Sequence, residues 1–246
     1  MPLNIGGTNI TSVGVKVLND TSPLTGSILY VDAGIANSYP GSGTTWTDLS
    51  GYGNNGTLVN GPTFNTGSGG YILFDGTDDY VSCGNSSSLD LTRTISMELW
   101  FYVNTLPGSW TNVYGKMNAN GDTPTRSYTA FINNAGYIHL CSADTSGQET
   151  LNSTSFIGVG IWWHWVGTID RNAGTMVQYV NGVQNVAGSV RTTDAVVTTD
   201  PVRLGYEGTV YAKYNGRVAA ARLYSRILSA QEVLQNFQSQ RQRFGV

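Results

Sequence analysis

The sequence predicts an all-β fold, a two-sheet antiparallel sandwich closed by a short C-terminal helix, and three observations carry that prediction. Short runs between residues 70 and 224 alternate aromatic or β-branched residues with polar ones, TISMELWFYV (94–103) being the clearest, and a period of two is how half-buried strands read. Turn formers punctuate the runs, among them Asn134-Ala135-Gly136, Arg171 to Gly174 and Asn181-Gly182, which marks antiparallel hairpins. Near the end, Ser229 followed by Glu232 forms the S-x-x-E capping box ahead of Val233, Leu234 and Phe237, the start signal of a helix.

Taken in order, residues 1–27 hold short β-like stretches (LNI, ITSVGVKVL) and read as an N-terminal β arm for assembly or anchoring, with Val13, Val15 and Val17 alternating as an edge strand does. Residues 28–246 form the sandwich domain, opening with the strand ILYVD at 28–32. GYILFD, DYVSC, TISMELWFYV, TNVYGKM, SYTAFIN, GYIHLCS, IWWHWVGTI, TMVQYVN, VRLGY and GRVAAARLY follow as strands. SYTAFIN with GYIHLC, and WVGTID with TMVQYV, are expected to be hairpins. The polar stretches 118–128 and 142–155 read as loops. The helix is expected to run two to three turns on the sandwich rim, with Arg241 and Arg243 beyond it.

Four blocks in fixed order carry a resemblance. WTDLSGYGNNGTLVNGPTF (46–64), FDGTDDYVSCG (74–84), WWHWVGTIDRNAGTMVQYVNGV (162–183) and NGRVAAARLYSRILSAQEV (215–233) are similar to the blocks of the laminin-G-like, concanavalin-A-like jelly-roll family, over roughly residues 28 to 237. The resemblance implies a concanavalin-A-like jelly roll. Relatives that join a short β arm to one such sandwich, with SYPGSGTTWTDLSGYGNNGTLVNG near the start, resemble bacteriophage virion proteins: capsid decoration proteins or tail and fibre components.

Chemistry has few places to sit. In TISMELWFYV, Ile95, Met97, Leu99, Phe101 and Val103 point to the core, and Ser96, Glu98, Trp100 and Tyr102 point outward. Glu98 beside Trp100 and Tyr102 would grip a sugar by stacking and a charge-assisted hydrogen bond. Glycoside hydrolases of the fold carry an E-x-D-x-x-E pattern there, since one carboxyl protonates the leaving oxygen while the other attacks or activates water. The neighbours here are Met97, Leu99, Trp100 and Tyr102, so no paired acid and base is present and the protein is expected not to be an enzyme. Trp163 is expected to pack on the core, and His164 has no nucleophile motif or second histidine beside it. Asp75, Asp78 and Asp79 surround Gly76 and are the candidate calcium ligands, because a hard cation takes carboxylate and carbonyl oxygens. The family's late acidic pair is here Ala219 and Ala220, so the three are expected to be turn residues and no cofactor is expected. Tyr39, Trp46, Trp110, Tyr128, Tyr206 and Tyr211 offer stacking platforms near strand ends.

Composition bounds the partners. Hydrophobic residues make up 40% of the 246, enough for one large sandwich core. Charged residues are only 12% and the net charge is -3, which offers no electrostatic footprint for nucleic acid. The first twenty residues lack a basic and then apolar leader, and no apolar run approaches the ~20 residues of a membrane span, so the chain is expected to be soluble as synthesised; the resemblance to virion proteins implies a virion location after synthesis in a host cytoplasm. Cys83 and Cys141 are expected to be free and buried. The resulting expectation is a non-enzymatic virion structural protein on a lectin-like sandwich that binds glycans, with a free-standing carbohydrate-binding module or adhesin as the second reading and a glycoside hydrolase as the third. Its partners would be other virion proteins through residues 1–27, cell-surface glycans and further copies of the chain.

Overall fold

The computed structural model describes residues 26–118, 125–205 and 208–246. The N-terminal arm expected at 1–27 lies outside the described residues except for Gly26 and Ser27. In chain order the strands are β1 (Ser27–Asp32), β2 (Thr45–Trp46), β3 (Gly56–Val59), β4 (Thr63–Asn65), β5 (Tyr71–Asp75), β6 (Tyr80–Ser82), β7 (Thr94–Val103) and β8 (Thr111–Met117). They continue with β9 (Arg126–Ile132), β10 (Tyr137–Asp144), β11 (Gly147–Phe156), β12 (Trp162–Asp170), β13 (Thr175–Val180), β14 (Val183–Ser189), β15 (Val202–Leu204) and β16 (Asn215–Tyr224), and end in the helix α1 (Ala230–Phe244).

Alternation sorts these strands into two sheets. One runs β14-β13-β12-β7-β16-β5-β4, with β1 also paired to β16; the other runs β11-β10-β9-β8-β15-β6-β3-β2. The expected hairpins are present: His139 pairs with Phe131 across β9 and β10, and Trp165 with Val180 across β12 and β13. Gly136, at φ +78, closes the first of them, where a Cβ would lie 2.4 Å from the Phe156 ring. Inward residues of both sheets, among them Leu99, Phe101, Trp165, Tyr128, Ile138 and Leu140, form the main core. Ile95 to Val103 face it at every second position as the period required, and Trp163 packs against it from the edge.

Three expectations change. Of residues 142–155, read as loop, 142–144 end β10 and 147–155 belong to the ten-residue edge strand β11. Only one face of an edge strand meets the core, and here Leu151 does so; the polar residues on both sides of it, the buried Ser153 among them, concealed the period. Residues 183–189 form the matching edge strand β14. The helix is longer than expected, fifteen residues from Ser229's capping box to a left-handed Gly245. It lies across the outer face of the first sheet, where Phe237 and Phe244 pack on Trp100, Trp162, Ala219 and Ala220. Arg243 does not extend beyond the domain: its Nη1 donates to both Asp32 carboxylate oxygens at 2.7 and 2.9 Å, and its Nη2 to the Gly70 carbonyl at 2.7 Å. Cys83 and Cys141 are free and buried, in separate clusters of the core.

Candidate functional site

The two outward sheet faces have different fates. On the first, α1 covers the residues expected to hold sugar. Glu98 is 1% exposed, and its carboxylate accepts from Arg222 Nη1 at 2.8 Å, His164 Nε2 at 3.0 Å, Tyr224 Oη at 3.0 Å and Asn236 Nδ2 of α1 at 2.8 Å. Burial alone would raise this carboxyl, but the Arg222 charge and the His164 hydrogen bond outweigh it and bring Glu98 down to about 2. Trp100 is also 1% exposed, with Phe244 stacked on it at 4.2 Å and Phe237 at 5.8 Å. The open sugar-gripping face expected at Glu98 and Trp100 is therefore corrected, because an amphipathic helix supplies the partners a sugar would have supplied. Tyr102 alone stays half-buried at the margin of the helix, with the Arg217 guanidinium 4.0 Å over its ring.

Asp75, Asp78 and Asp79 do converge, their carboxylate oxygens lying within 4.8 Å of one another. Turn hydrogen bonds occupy part of that capacity: Asp79 Oδ2 accepts from the Asp75 amide at 2.9 Å and Asp75 Oδ1 from the Thr77 amide at 2.7 Å. Burial, with the charges of Asp75 and Asp78 adding to it, raises the Asp79 carboxyl. Ala219 and Ala220 sit under α1, away from this turn.

The outer face of the second sheet carries a cluster of its own, with Met117, Phe131 and Cys141 buried together and Tyr211 packed against them. There β8 to β11 and the segment before β16 enclose a cavity of about 380 Å³ lined by Trp110, Arg126, Phe131, Cys141, Gln148, Thr150 and Tyr211. Aromatic rings build its walls edge to face: Tyr211 on Phe131 at 5.1 Å and Trp110 on His139 at 4.4 Å. The Arg126 guanidinium lies over Phe131 at 5.0 Å and Tyr211 at 5.5 Å and donates to Gln148 Oε1 and Tyr211 Oη. Gln148 Nε2 donates to Thr150 Oγ1 at 2.8 Å, and His139 Nδ1 bonds Asn152 Oδ1 at 2.5 Å. Burial lowers the His139 pKa, with that hydrogen bond opposing in part. Trp110 remains 40% exposed, a flat apolar surface at the mouth. Rings beside amide and hydroxyl groups suit a ligand with apolar faces and polar edges, and the volume falls in the range of about 300–1,000 Å³ usual for small-molecule sites.

Of the six aromatics expected as platforms, the structure brings Trp110 and Tyr211 together here and buries Tyr39, Trp46 and Tyr128; Tyr206 lies outside the described residues. Sequence reasoning missed Arg126, Phe131, His139, Gln148 and Thr150. The signal for two of them was present, since Phe131 and His139 fall opposite the core-facing Ala130 and Ile138 and pair directly across the hairpin.

Comparison with known proteins bears on this geometry. A laminin-G family model described as Concanavalin A-like lectin/glucanases superfamily matches residues 75–234. No curated protein matches the chain. Among solved structures, the binding domain of Paraclostridial Mosquitocidal Protein 1 is similar at TM-score 0.69 and 17% identity, covering 88% of this chain and 52% of that one. A botulinum neurotoxin type C structure, whose cell entry is described as dependent upon interaction with two ganglioside molecules, is similar at TM-score 0.67 and 14% identity, with 88% and 52% covered. Trypanosoma rangeli sialidase is similar at TM-score 0.66 and 15% identity, with 90% of this chain and 34% of that one covered. The chain thus spans about half the length of the toxin domains and a third of the sialidase. Identities this low show the shared fold.

Proposed function

We propose that this chain, which belongs to the concanavalin A-like lectin/glucanases superfamily, is a non-enzymatic glycan-binding module that recognises its ligand on the outer face of the second sheet. The observation that carries the proposal is the asymmetry of the sandwich: among the described residues one outward face is covered by α1, and the other holds an aromatic-walled cavity of about 380 Å³. Binding without turnover is supported by the cavity's described lining, which contains no carboxylate, and by Glu98, whose charge is committed to Arg222 under the helix. A general acid must hold a proton near the working pH, which a carboxyl near 2 does not. The ganglioside in the description of a similar toxin domain supports glycans as the ligand class.

The wild type is expected to bind a subset of a glycan array, and Trp110→Ala to lower the affinity for those glycans at least about tenfold, or ~1.4 kcal/mol. Its melting temperature should be unchanged, since Trp110 is 40% exposed. Equal affinity in Trp110→Ala, or no glycan bound by the wild type, would overturn the proposal.

The setting in which the module works is a further part of it. The resemblance read in the sequence of residues 38–61 is what favours a place on a virion, as capsid decoration or as a tail or fibre component. Electron microscopy of native particles tests this: regular capsid positions indicate decoration, a tail tip indicates adhesion, and absence from particles refutes the placement.

A further inference from the structure

Among the described residues outside both the cavity and the Glu98 cluster, one cation has no acceptor. The described lysines and arginines other than Arg217 each hydrogen bond to a carboxylate, a carbonyl or a polar side chain: Arg93 to Thr192, Lys116 to Asp90, Arg171 to Arg191 and Thr193, Arg203 to Met117, Lys213 to Gly208, Arg226 to Ile227, and Arg241 to Val246, for example. The side chain of Arg217 has no hydrogen bond and no ion pair among the described residues, and its Nε is buried without a partner. What holds it is aromatic. Its guanidinium carbon lies 4.0 Å from the Tyr102 ring centroid and 5.0 Å from that of Tyr71, and Trp162 braces both tyrosines edge-on at 5.6 and 5.7 Å.

The position follows from register. Arg217 on β16 lies between Tyr102 on β7 and Leu73 on β5, on the first sheet's outer face, where Arg217, Tyr102 and Leu73 are all half-buried. A charge held against ring faces is fixed in orientation before any ligand arrives, so little side-chain entropy is lost when one binds. A planar fork of N–H donors with no internal acceptor is complementary to a carboxylate. Next along the strands, Asn104 and Asn215 bond each other at 3.1 Å, amide groups of the kind that meet sugar hydroxyls.

We propose that Arg217, fixed between Tyr71 and Tyr102, is a second ligand site that takes the carboxylate of an acidic sugar residue, such as a uronic or a sialic acid. The choice of a sugar rests on the glycan-binding reading above. The choice of a single carboxylate rests on charge: an isolated cation on a chain of net charge -3 forms no basic patch for a polyanion or an anionic membrane. The sequence-expected Tyr102 thereby keeps a binding role as the platform of the arginine rather than of the sugar.

Calorimetric titration of the full chain with 3′-sialyllactose, trigalacturonate, the methyl esters of both, lactose and inorganic phosphate tests this. The wild type is expected to bind at least one of the acids. Esterification, Arg217→Gln, and Arg217→Lys, which keeps the charge and loses the fork, should each weaken that binding at least tenfold, while Trp110→Ala leaves it within twofold. The ester comparison needs no variant and stands even where Arg217→Gln fails to fold. Acid binding that survives esterification or Arg217→Gln overturns the inference, as does acid binding lost in Trp110→Ala. Phosphate binding as tight as the sugar acids overturns the ligand class. Array glycans bound through Trp110 with no acid bound overturn this site and leave the first standing; no glycan bound at all overturns both.

Discussion

Replacing Glu98 by glutamine tests the account of the covered face at its centre. The carboxylate is 1% exposed and receives donors from two strands, β12 and β16, and from α1. Glutamine keeps the shape and removes the charge, leaving Arg222, also 1% exposed, as a buried cation without its counter-ion. Loss of one partner of a buried pair costs about 3–5 kcal/mol. The pKa leads to the same magnitude: a fall from 4.5 to about 2, at about 1.4 kcal/mol per unit, is about 3 kcal/mol. A folded-state pKa below the unfolded one contributes stability that is complete above the unfolded value and is lost as pH falls through the folded value. The Glu98 contribution should therefore be whole above about pH 5 and decline toward pH 2. Urea denaturation is expected to show Glu98→Gln about 3 kcal/mol less stable than wild type at pH 7, equivalent to roughly 6–12 °C in melting temperature for a domain of this size, with the gap shrinking as pH falls from 5 to 3. Adding Arg222→Met should recover more than half of the loss, because the double variant buries no lone charge. A gap under 1 kcal/mol at pH 7, or one that does not shrink in acid, would refute the reasoning.

The same cluster shows why the fold was more legible than the site. Period-two alternation placed Ser96, Glu98, Trp100 and Tyr102 on the outer face and Ile95 to Val103 on the inner one, and both assignments hold, because side-chain direction in a strand is a local property. What covers an outer face is not local. The partners of Glu98 come from residues 66 to 138 positions away, and the helix that buries it was legible as a helix from its capping box but not as a lid. Its apolar positions, Val233, Phe237 and Phe244, do mark one stripe; the destination of that stripe had a signal in Ala219 and Ala220, small residues under which two aromatic rings fit. The cavity of the second sheet was harder still. Its lining comes from five segments, and β11, which supplies Gln148 and Thr150, is an edge strand whose polarity concealed its alternation. Arg217 was read only as part of a block that departs from the family's acidic pattern, and the cross-strand register that sets it over Tyr102 becomes visible once β7 and β16 are paired.

Two further predictions concern the acidic turn and the helix. Millimolar calcium is expected to leave the melting temperature unchanged, since Asp75 and Asp79 already accept backbone amides and a site with few free carboxylates binds weakly; a rise of several degrees that chelator reverses and Asp78→Ala abolishes would contradict this. Phe244→Ala, against Leu234→Ala as the control, separates burial under α1 from helix propensity, because both sit on one helix and only the first is buried, at 7% against 39% exposure. Phe244 stacks on Trp100 at 4.2 Å, meets Trp162 at 4.8 Å and carries Arg243 over its ring at 4.8 Å, so its truncation should cost about 3–5 kcal/mol and leave a cavity over Trp100, whereas Leu234→Ala should cost under about 1 kcal/mol. Equal costs for the two in urea denaturation would mean that α1 does not hold the outer face closed, and the expectation that Trp100 meets sugar would regain its ground.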